Sequence, residues 1–248
     1  MGNEAPYLLC TRPVTNIQQQ KAAEAGVVLH GISFIETVER KTEALLKQVQ
    51  KLATKELNVV FTSMNAVEAV AGMISADGTV KKNQPKWNLY SIGGRTAQLL
   101  RQHFHSSVIK GEAPYGGMLA KKIILENPRG PVVFFCGNIR RNELPDQLLK
   151  HGFSLEEITV YDTISTPQQL EIKYNGVLFF SPSAVESYFS LNPPQQDQYF
   201  FAIGQTTAEA IRSFSKDNVL FSPTTDKEAL IETAIDFFKQ QKTTKHIP

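Results

Sequence analysis

The chain writes the same strand twice. Ile32-Ser33-Phe34-Ile35-Glu36-Thr37-Val38 and Ile158-Thr159-Val160-Tyr161-Asp162-Thr163-Ile164 match in order at an offset of 126 positions, and the residue that changes character is Ile35, which becomes Tyr161. The offset is not local. Tyr7-Leu8-Leu9-Cys10 and Val133-Phe134-Phe135-Cys136 stand 126 apart, as do Ala25-Gly26 and His151-Gly152. Val60-Phe61-Thr62-Ser63 to Glu68 matches Leu178-Phe179-Phe180-Ser181 to Glu186 at 118, and Ile92-Gly93-Gly94-Arg95-Thr96-Ala97 matches Ile203-Gly204-Gln205-Thr206-Thr207-Ala208 at 111. A period of that size is a duplicated domain rather than a solenoid repeat. Two copies, about 8 to 124 and 132 to 236, account for most of the 248 residues. Whatever this chain folds into must therefore be buildable twice. The repeated strand alternates, with Ile158, Val160, Asp162 and Ile164 on one face and Thr159, Tyr161 and Thr163 on the other, so neither copy is expected to be wholly buried.

Each copy alternates short apolar runs with helical patterns. Leu8-Leu9, Val59 to Phe61, Leu89 to Ile92, Val132 to Phe135, Val177 to Phe180 and Phe200 to Ile203 are each followed by turn chemistry and then a helix-period stretch. Such alternation predicts parallel sheets covered by helices. Helices are expected near 15–25, 41–54, 64–75, 94–103, 115–126, 140–151, 183–191, 205–215 and 226–241, with breaks at Asp77-Gly78, Pro128-Arg129-Gly130-Pro131 and Asn192-Pro193-Pro194.

Composition excludes more than it selects. A net charge of +2, with no basic run and no cluster of interleaved aromatics, gives no reason to expect nucleic acid. No apolar run is long enough to cross a bilayer and the first residues show no secretory pattern, so a cytoplasmic protein without membrane contact is expected. Cys10 and Cys136 close matching strands of the two copies, which fits small buried residues rather than a disulfide. There is no Gly-x-Gly-x-x-Gly and no phosphate-binding Gly-x-x-x-x-Gly-Lys loop, and Ile92-Gly93-Gly94-Arg95-Thr96 is too short to wrap a dinucleotide pyrophosphate. The five histidines, His30, His103, His105, His151 and His246, have no partner at metal-ligand spacing. Ser63 and Ser181 end strands but have no evident histidine base. No cofactor, no metal and no covalent nucleophile are expected.

What recurs at the strand ends is a hydroxyl or small residue directly before a helix: Thr62-Ser63, Gly93 to Thr96, Gly137-Asn138, Ser181-Pro182-Ser183, Gly204 to Thr207 and Ser222-Pro223-Thr224-Thr225. Taken singly these read as helix N-caps. Taken together they place free N–H groups and positive helix ends at the carboxyl ends of parallel strands, where open α/β sheets bind their ligands. Two such domains facing each other would offer a cleft for a polyanionic small molecule.

In this order, Val60-Phe61-Thr62-Ser63-x-x-Ala66-Val67-Glu68, Phe135-Cys136-Gly137-Asn138, Ile158 to Thr163, Phe180-Ser181-Pro182-Ser183, Ala202 to Ala208 and Ser222-Pro223-Thr224 resemble the uroporphyrinogen-III synthase family over essentially the whole chain. The resemblance implies two similar doubly wound parallel-sheet, flavodoxin-like α/β domains joined by a two-stranded antiparallel ladder. Residues 1–35 and 166–248 would form one domain, 40–158 the other, and 36–39 with 159–165 the hinge ladder. It implies a cofactor-free reaction in heme biosynthesis: hydroxymethylbilane loses its terminal hydroxyl as water and closes to uroporphyrinogen III with inversion of the last ring. The family's tyrosine falls on Tyr161, where a phenol can donate a proton to the departing hydroxyl without adding a charge. Substrate-binding positions carried over are Thr62, Ser63, Gly93, Thr96, Gly137, Asn138, Ser181, Ser183, Thr206, Thr207 and Thr224. Arg12, Arg95, Arg140 and Arg141, at strand-to-helix junctions, are further sources of charge, with a surface role as the alternative. Ser-Pro-Thr-Thr stands where the family often has Ser-Pro-Thr-Pro. A monomer is expected, the duplication already supplying two facing domains. Two other readings remain open here. One is a non-catalytic hinged binder of a small polyanion; the other, paired receiver-like domains, is disfavoured because no acidic cluster follows the first strand of either copy.

Overall fold

The computed structural model describes residues 5–75, 84–222, 224 and 226–244. The expected break at Asp77-Gly78 and the residues His246, Pro223 and Thr225 lie outside them. Along the chain the elements are β1 (Tyr7–Cys10), α1 (Asn16–Glu24), β2 (Val28–Gly31), β3 (Ile35–Glu39), α2 (Glu43–Ala53), β4 (Asn58–Phe61), α3 (Met64–Ser75), β5 (Asn88–Ile92) and α4 (Arg95–His103). They continue as β6 (Val108–Ala113), α5 (Gly116–Glu126), β7 (Val132–Gly137), α6 (Glu143–Lys150), β8 (Leu155–Ser165) and β9 (Gly176–Phe179). The last are α7 (Pro182–Phe189), β10 (Tyr199–Ala202), α8 (Gln205–Arg212), β11 (Val219–Phe221) and α9 (Lys227–Thr244). The α/β class with parallel sheets is what the periodicities require, and each helix lies where its apolar spacing puts it. The largest shifts are of three residues: α6 starts at Glu143 rather than near 140, α8 ends at Arg212 rather than near 215, and α9 runs on to Thr244 rather than 241.

The chain divides into two compact units, residues 1–36 with 164–248 and residues 37–163. In the first, strands run in the order β11-β10-β9-β1-β2, and every pair is parallel. Leu9, Val177, Phe179 and Phe200 bury one sheet face under α7 and α8, while Leu8, Cys10, Leu178 and Phe201 bury the other under α1 and α9. Local chemistry sets the ends: Thr15 and Gln18 form a reciprocal capping box at α1, and Gly26 takes a left-handed φ of 72° to turn the chain into β2.

In the second unit the order is β3-β8-β7-β4-β5-β6. Strands β8 to β6 are parallel neighbours, with Val59, Phe61, Val133 and Phe135 facing α2, α3 and α4 and Val60, Phe134 and Cys136 facing α5 and α6. Stacked and tilted rings of Phe61, Trp87, Phe104 and Phe135 fill the first of these cores, and Trp87 Nε1 donates to Leu52 O at 3.2 Å. At the sheet edge Arg40 N donates to Val160 O and, at the other end of the strand, Thr166 N donates to Phe34 O, the antiparallel sense.

The tandem repeat in sequence is not a tandem repeat of sheets. Strands β1 and β2 come from the first copy but pair in one sheet with β9, β10 and β11 of the second; β4, β5 and β6 of the first copy pair with β7 and β8 of the second. Each unit holds five parallel strands drawn from both copies, the second unit adding β3 antiparallel at its edge, because the repeated strand carries the chain from one unit into the other.

Both cysteines are free and buried at matching sheet positions. Burial pushes the Cys10 thiol up to about 12, against a smaller downward pull from Arg12, and burial also raises Cys136. A thiol ionises near 8.5 once exposed in an unfolded chain. The Cys10 contribution to stability is thus complete below that pH and is lost as pH rises toward 12. Both thiols are expected to be silent to a disulfide-exchange reagent at neutral pH and to react only at the rate of unfolding; immediate reaction of the folded protein would contradict this burial.

Candidate active site

Tyr161 stands where the β7–β8 ladder breaks step. Pairing runs from Val132↔Leu155 to Cys136↔Thr159 and then jumps to Gly137↔Tyr161, leaving Val160 as an extra residue. The plain alternation expected from the sequence would set Tyr161 opposite Val160. The bulge cancels that half-turn, and Ile158, Val160 and Tyr161 all pack into the core under α2, α3 and α4. Tyr161 is only 8% exposed. Its ring lies directly on Gly137: a Cβ there would sit 2.5 Å from Cε2 and Cζ and 2.8 Å from the hydroxyl oxygen. Glycine at 137 is what lets the phenol occupy the end of β7.

The neighbours hold it from both sides. Asn138 N donates to Tyr161 O at 3.1 Å, while Asn138 Oδ1 accepts from Thr163 N at 2.8 Å and from Ile139 N at 2.9 Å, and Asn138 Nδ2 donates to Thr163 O at 3.3 Å. The side-chain amide thereby continues the β-ladder one step past the end of the strand. Asp162 receives two bonds from Arg40, at 2.8 and 2.7 Å, and these hold its carboxyl below the usual aspartate range. The Asn138 and Arg40 contacts join residues far apart in sequence, and no spacing rule reveals them. The signal that was available is the Gly-Asn pair following a buried strand.

The other residues singled out by sequence lie at the carboxyl ends of strands in their own unit. In the second unit, Ser63 Oγ accepts from Ala66 N at 3.2 Å, so Ser63 caps α3, with half-buried Thr62 before it. Gly93 N donates to Ala113 O at 2.8 Å; Gly94, with φ of 71°, precedes α4 and supplies no side-chain cap; Thr96 is buried. In the first unit, Ser181 Oγ accepts from Ala184 N at 3.3 Å to cap α7 and lies 3.1 Å from Ser183 Oγ. Gly204 leaves α8 without a side-chain cap, Thr206 is exposed and Thr207 is buried. Thr224 is exposed, its N–H bonded to Ser222 Oγ at 3.3 Å. Ser63 and Ser181 are thus spent largely on their helices, whereas Gly94 and Gly204, at the caps of α4 and α8, have no side chain to give theirs. Among the described residues no group of three His, Cys, Asp or Glu could hold a metal ion, and no helix is long and apolar enough to cross a membrane.

The chain as a whole is similar to known proteins. A uroporphyrinogen-III synthase of Saccharomyces cerevisiae is 23% identical over 212 residues, covering 74% of this chain and 77% of its own. The crystal structure of uroporphyrinogen-III synthetase from Helicobacter pylori superposes with a TM-score of 0.68 at 14% identity, over 94% of this chain and 99% of that one. A mutant uroporphyrinogen III synthase from Thermus thermophilus gives 0.67 at 15% identity, over 96% and 100%. At these identities the structures speak to the fold. The model of the family described as uroporphyrinogen-III synthase HemD matches residues 18–232. The chain belongs to the uroporphyrinogen-III synthase family.

Proposed function

We infer that the protein is a uroporphyrinogen-III synthase, a lyase of heme biosynthesis that converts hydroxymethylbilane to uroporphyrinogen III with loss of water. The observation that carries this reading is the family match over residues 18–232. A non-catalytic binder is not favoured by it.

The chemistry asks little of the protein beyond placement. The pyrroles supply the electrons, and no cofactor enters the scheme. The bound bilane must lose its terminal hydroxyl, and the azafulvene cation left behind must be held away from water until the last ring inverts through a spiro intermediate and the macrocycle closes. In this assignment Tyr161 gives its phenolic proton to the departing hydroxyl, which leaves as water. The proton lost when the ring rearomatises balances the step. The substrate's carboxylate arms are met by backbone N–H groups and hydroxyls at Thr62, Ser63, Gly93, Thr96, Gly137 and Asn138 in one unit, and at Ser181, Ser183, Thr206, Thr207 and Thr224 in the other. The bulge, Gly137 and the Asn138 bonds support a positioned phenol; the glycine caps of α4 and α8, which put no side chain at the positive helix ends, support anion contacts.

Residues 1–35 with 166–248 and residues 40–158 are assigned as the two domains, with 36–39 and 159–165 as the ladder linking them. The passage of chain between units at Glu36–Thr37 and Thr163–Ile164 supports this. A cytoplasmic monomer completes the reading, two free buried thiols being at home in a reducing compartment.

The test is to generate hydroxymethylbilane in situ, add the purified protein without metal or nucleotide, oxidise, and separate the porphyrin isomers. The expected result is a shift from the type I isomer, which forms by unassisted closure, to type III. Unchanged type I from a folded protein would sink the reading.

A further inference from the structure

In the first unit, β1 and β9 lie side by side and lead to helices in opposite directions along the sheet, β1 to α1 and then β2, and β9 to α7 and then β10. This is the switch point at which open α/β sheets form their ligand crevice. Arg12 stands there, two residues beyond the end of β1. Thr11 pins the strand end to β9, with its N–H bonded to Leu178 O at 3.0 Å and its buried hydroxyl to the same oxygen at 2.9 Å. The guanidinium carbon of Arg12 lies 5.2 Å from the centre of the Phe180 ring, and Phe180 leads directly into Ser181 and Ser183 at the start of α7. Arg12 Nη1 is buried and has no hydrogen-bond partner.

A buried arginine nitrogen without an acceptor needs an explanation, because arginine cannot shed its charge as a lysine or carboxyl can. The other buried side-chain atoms without partners, among the described residues, belong to the neutral groups of Gln84, Ser91 and Ser187. The second unit shows what a self-sufficient switch point looks like. The position 126 residues on from Arg12 is Asn138, and its amide is consumed by Thr163 and Ile139. The duplicated frame thus carries a neutral, satisfied side chain in one copy and, in the other, a cation over an aromatic face with one buried nitrogen left unmatched.

We propose that the β1–β9 switch point of the first unit is a carboxylate site, in which Arg12, held over Phe180, takes one carboxylate arm of the substrate with the Ser181 and Ser183 hydroxyls beside it. This rests on the synthase reading for the identity of the ligand, though not for its chemical class. A planar guanidinium takes a carboxylate through two parallel bonds, which orients the arm as well as holding it. Arg12 is a positioning residue here, with no part in bond breaking.

Two measurements separate this proposal from the synthase reading. The first is the thermal midpoint with and without citrate, a simple polycarboxylate, for wild type, Arg12→Gln, Arg12→Lys and Lys21→Gln, the last removing the same charge from an exposed side chain of α1 that pairs with Glu232 of α9. Citrate is expected to raise the midpoint of wild type and Lys21→Gln, to raise that of Arg12→Lys by less, and to leave Arg12→Gln unmoved. Without citrate, Arg12→Gln is expected to be about as stable as wild type, since it exchanges a half-buried guanidinium with one unmatched buried nitrogen for a neutral amide. The second is the coupled isomer assay, in which Arg12→Gln is expected to raise KM for the bilane by about tenfold or more while kcat changes by less than about threefold. Equal citrate shifts in wild type and Arg12→Gln, or a clearly destabilised Arg12→Gln protein, would overturn the proposal. Absence of type III product from wild type would remove the synthase reading and leave the citrate result to decide the site.

Discussion

Exchanging Tyr161 for phenylalanine is expected to slow formation of the type III isomer by roughly a hundredfold or more, the usual scale of losing one positioned proton donor. The substitution suits the question because it removes a single oxygen. The phenyl ring can still lie on Gly137 and fill the core of Ile158 and Val160, so the folded state should be kept. The readouts are kcat in the coupled assay and the thermal midpoint. A midpoint near wild type with kcat reduced, and with KM little changed, is the signature of an interaction made chiefly in the transition state. A rate within about threefold of wild type would take the acid role away from Tyr161 and leave it as a packing residue of the bulged strand.

The second large effect is on stability and lies at Gly31. A Cβ there would stand 2.6 Å from Val14 N and 2.7 Å from Arg12 O, both main-chain atoms, as well as 2.9 Å from a methyl of Val14. A side chain could swing aside, but two backbone contacts cannot relax without moving the loop after β1. Gly31→Ala is therefore expected to cost roughly 1–3 kcal/mol, the range of an overpacked site, and urea unfolding would measure it. Gly72 in α3 is the internal control. Nothing lies within 4 Å of a Cβ there, so Gly72→Ala should be neutral or stabilising by up to about 1 kcal/mol from helix propensity alone. Equal midpoints for the two variants would show that the loop over Gly31 gives way.

The fold was readable because its signals are local and repeated. Apolar runs of strand length and helix-period stretches occur twice, and cap chemistry such as Thr15 with Gln18 and Ser181 before Ala184 marks where helices begin. What periodicity could not give was the face of Tyr161. A period-two pattern holds only while the ladder keeps step, and the extra residue at Val160 is set by pairing with β7, which lies more than twenty positions away. For the same reason Asn138 reads in sequence as a small polar residue before a helix, while in the fold its amide is a substitute ladder rung. Arg12 reads as an ordinary cation at a strand end. That its Nη1 is enclosed and unmatched depends on Phe180, which reaches it only through the β1–β9 pairing.

The exchange of halves between the two copies also sets a timetable for synthesis. Residues 37–163 form one continuous stretch and can fold as soon as they leave the ribosome. The opening β1–α1–β2 piece cannot, because Tyr7 takes its N–H acceptor from Asn175, 168 positions later. At translation rates of about 5–20 residues per second, that separation leaves the first strand waiting on the order of ten to thirty seconds. Throughout that interval Leu8, Leu9 and Cys10, fully buried at the end, have β2 beside them but lack β9 and the rest of the sheet. A strand made before the second unit is thus secured only after it, and a chain cut short at the end of that unit would leave the β9-facing edge of β1 apolar and without its partner.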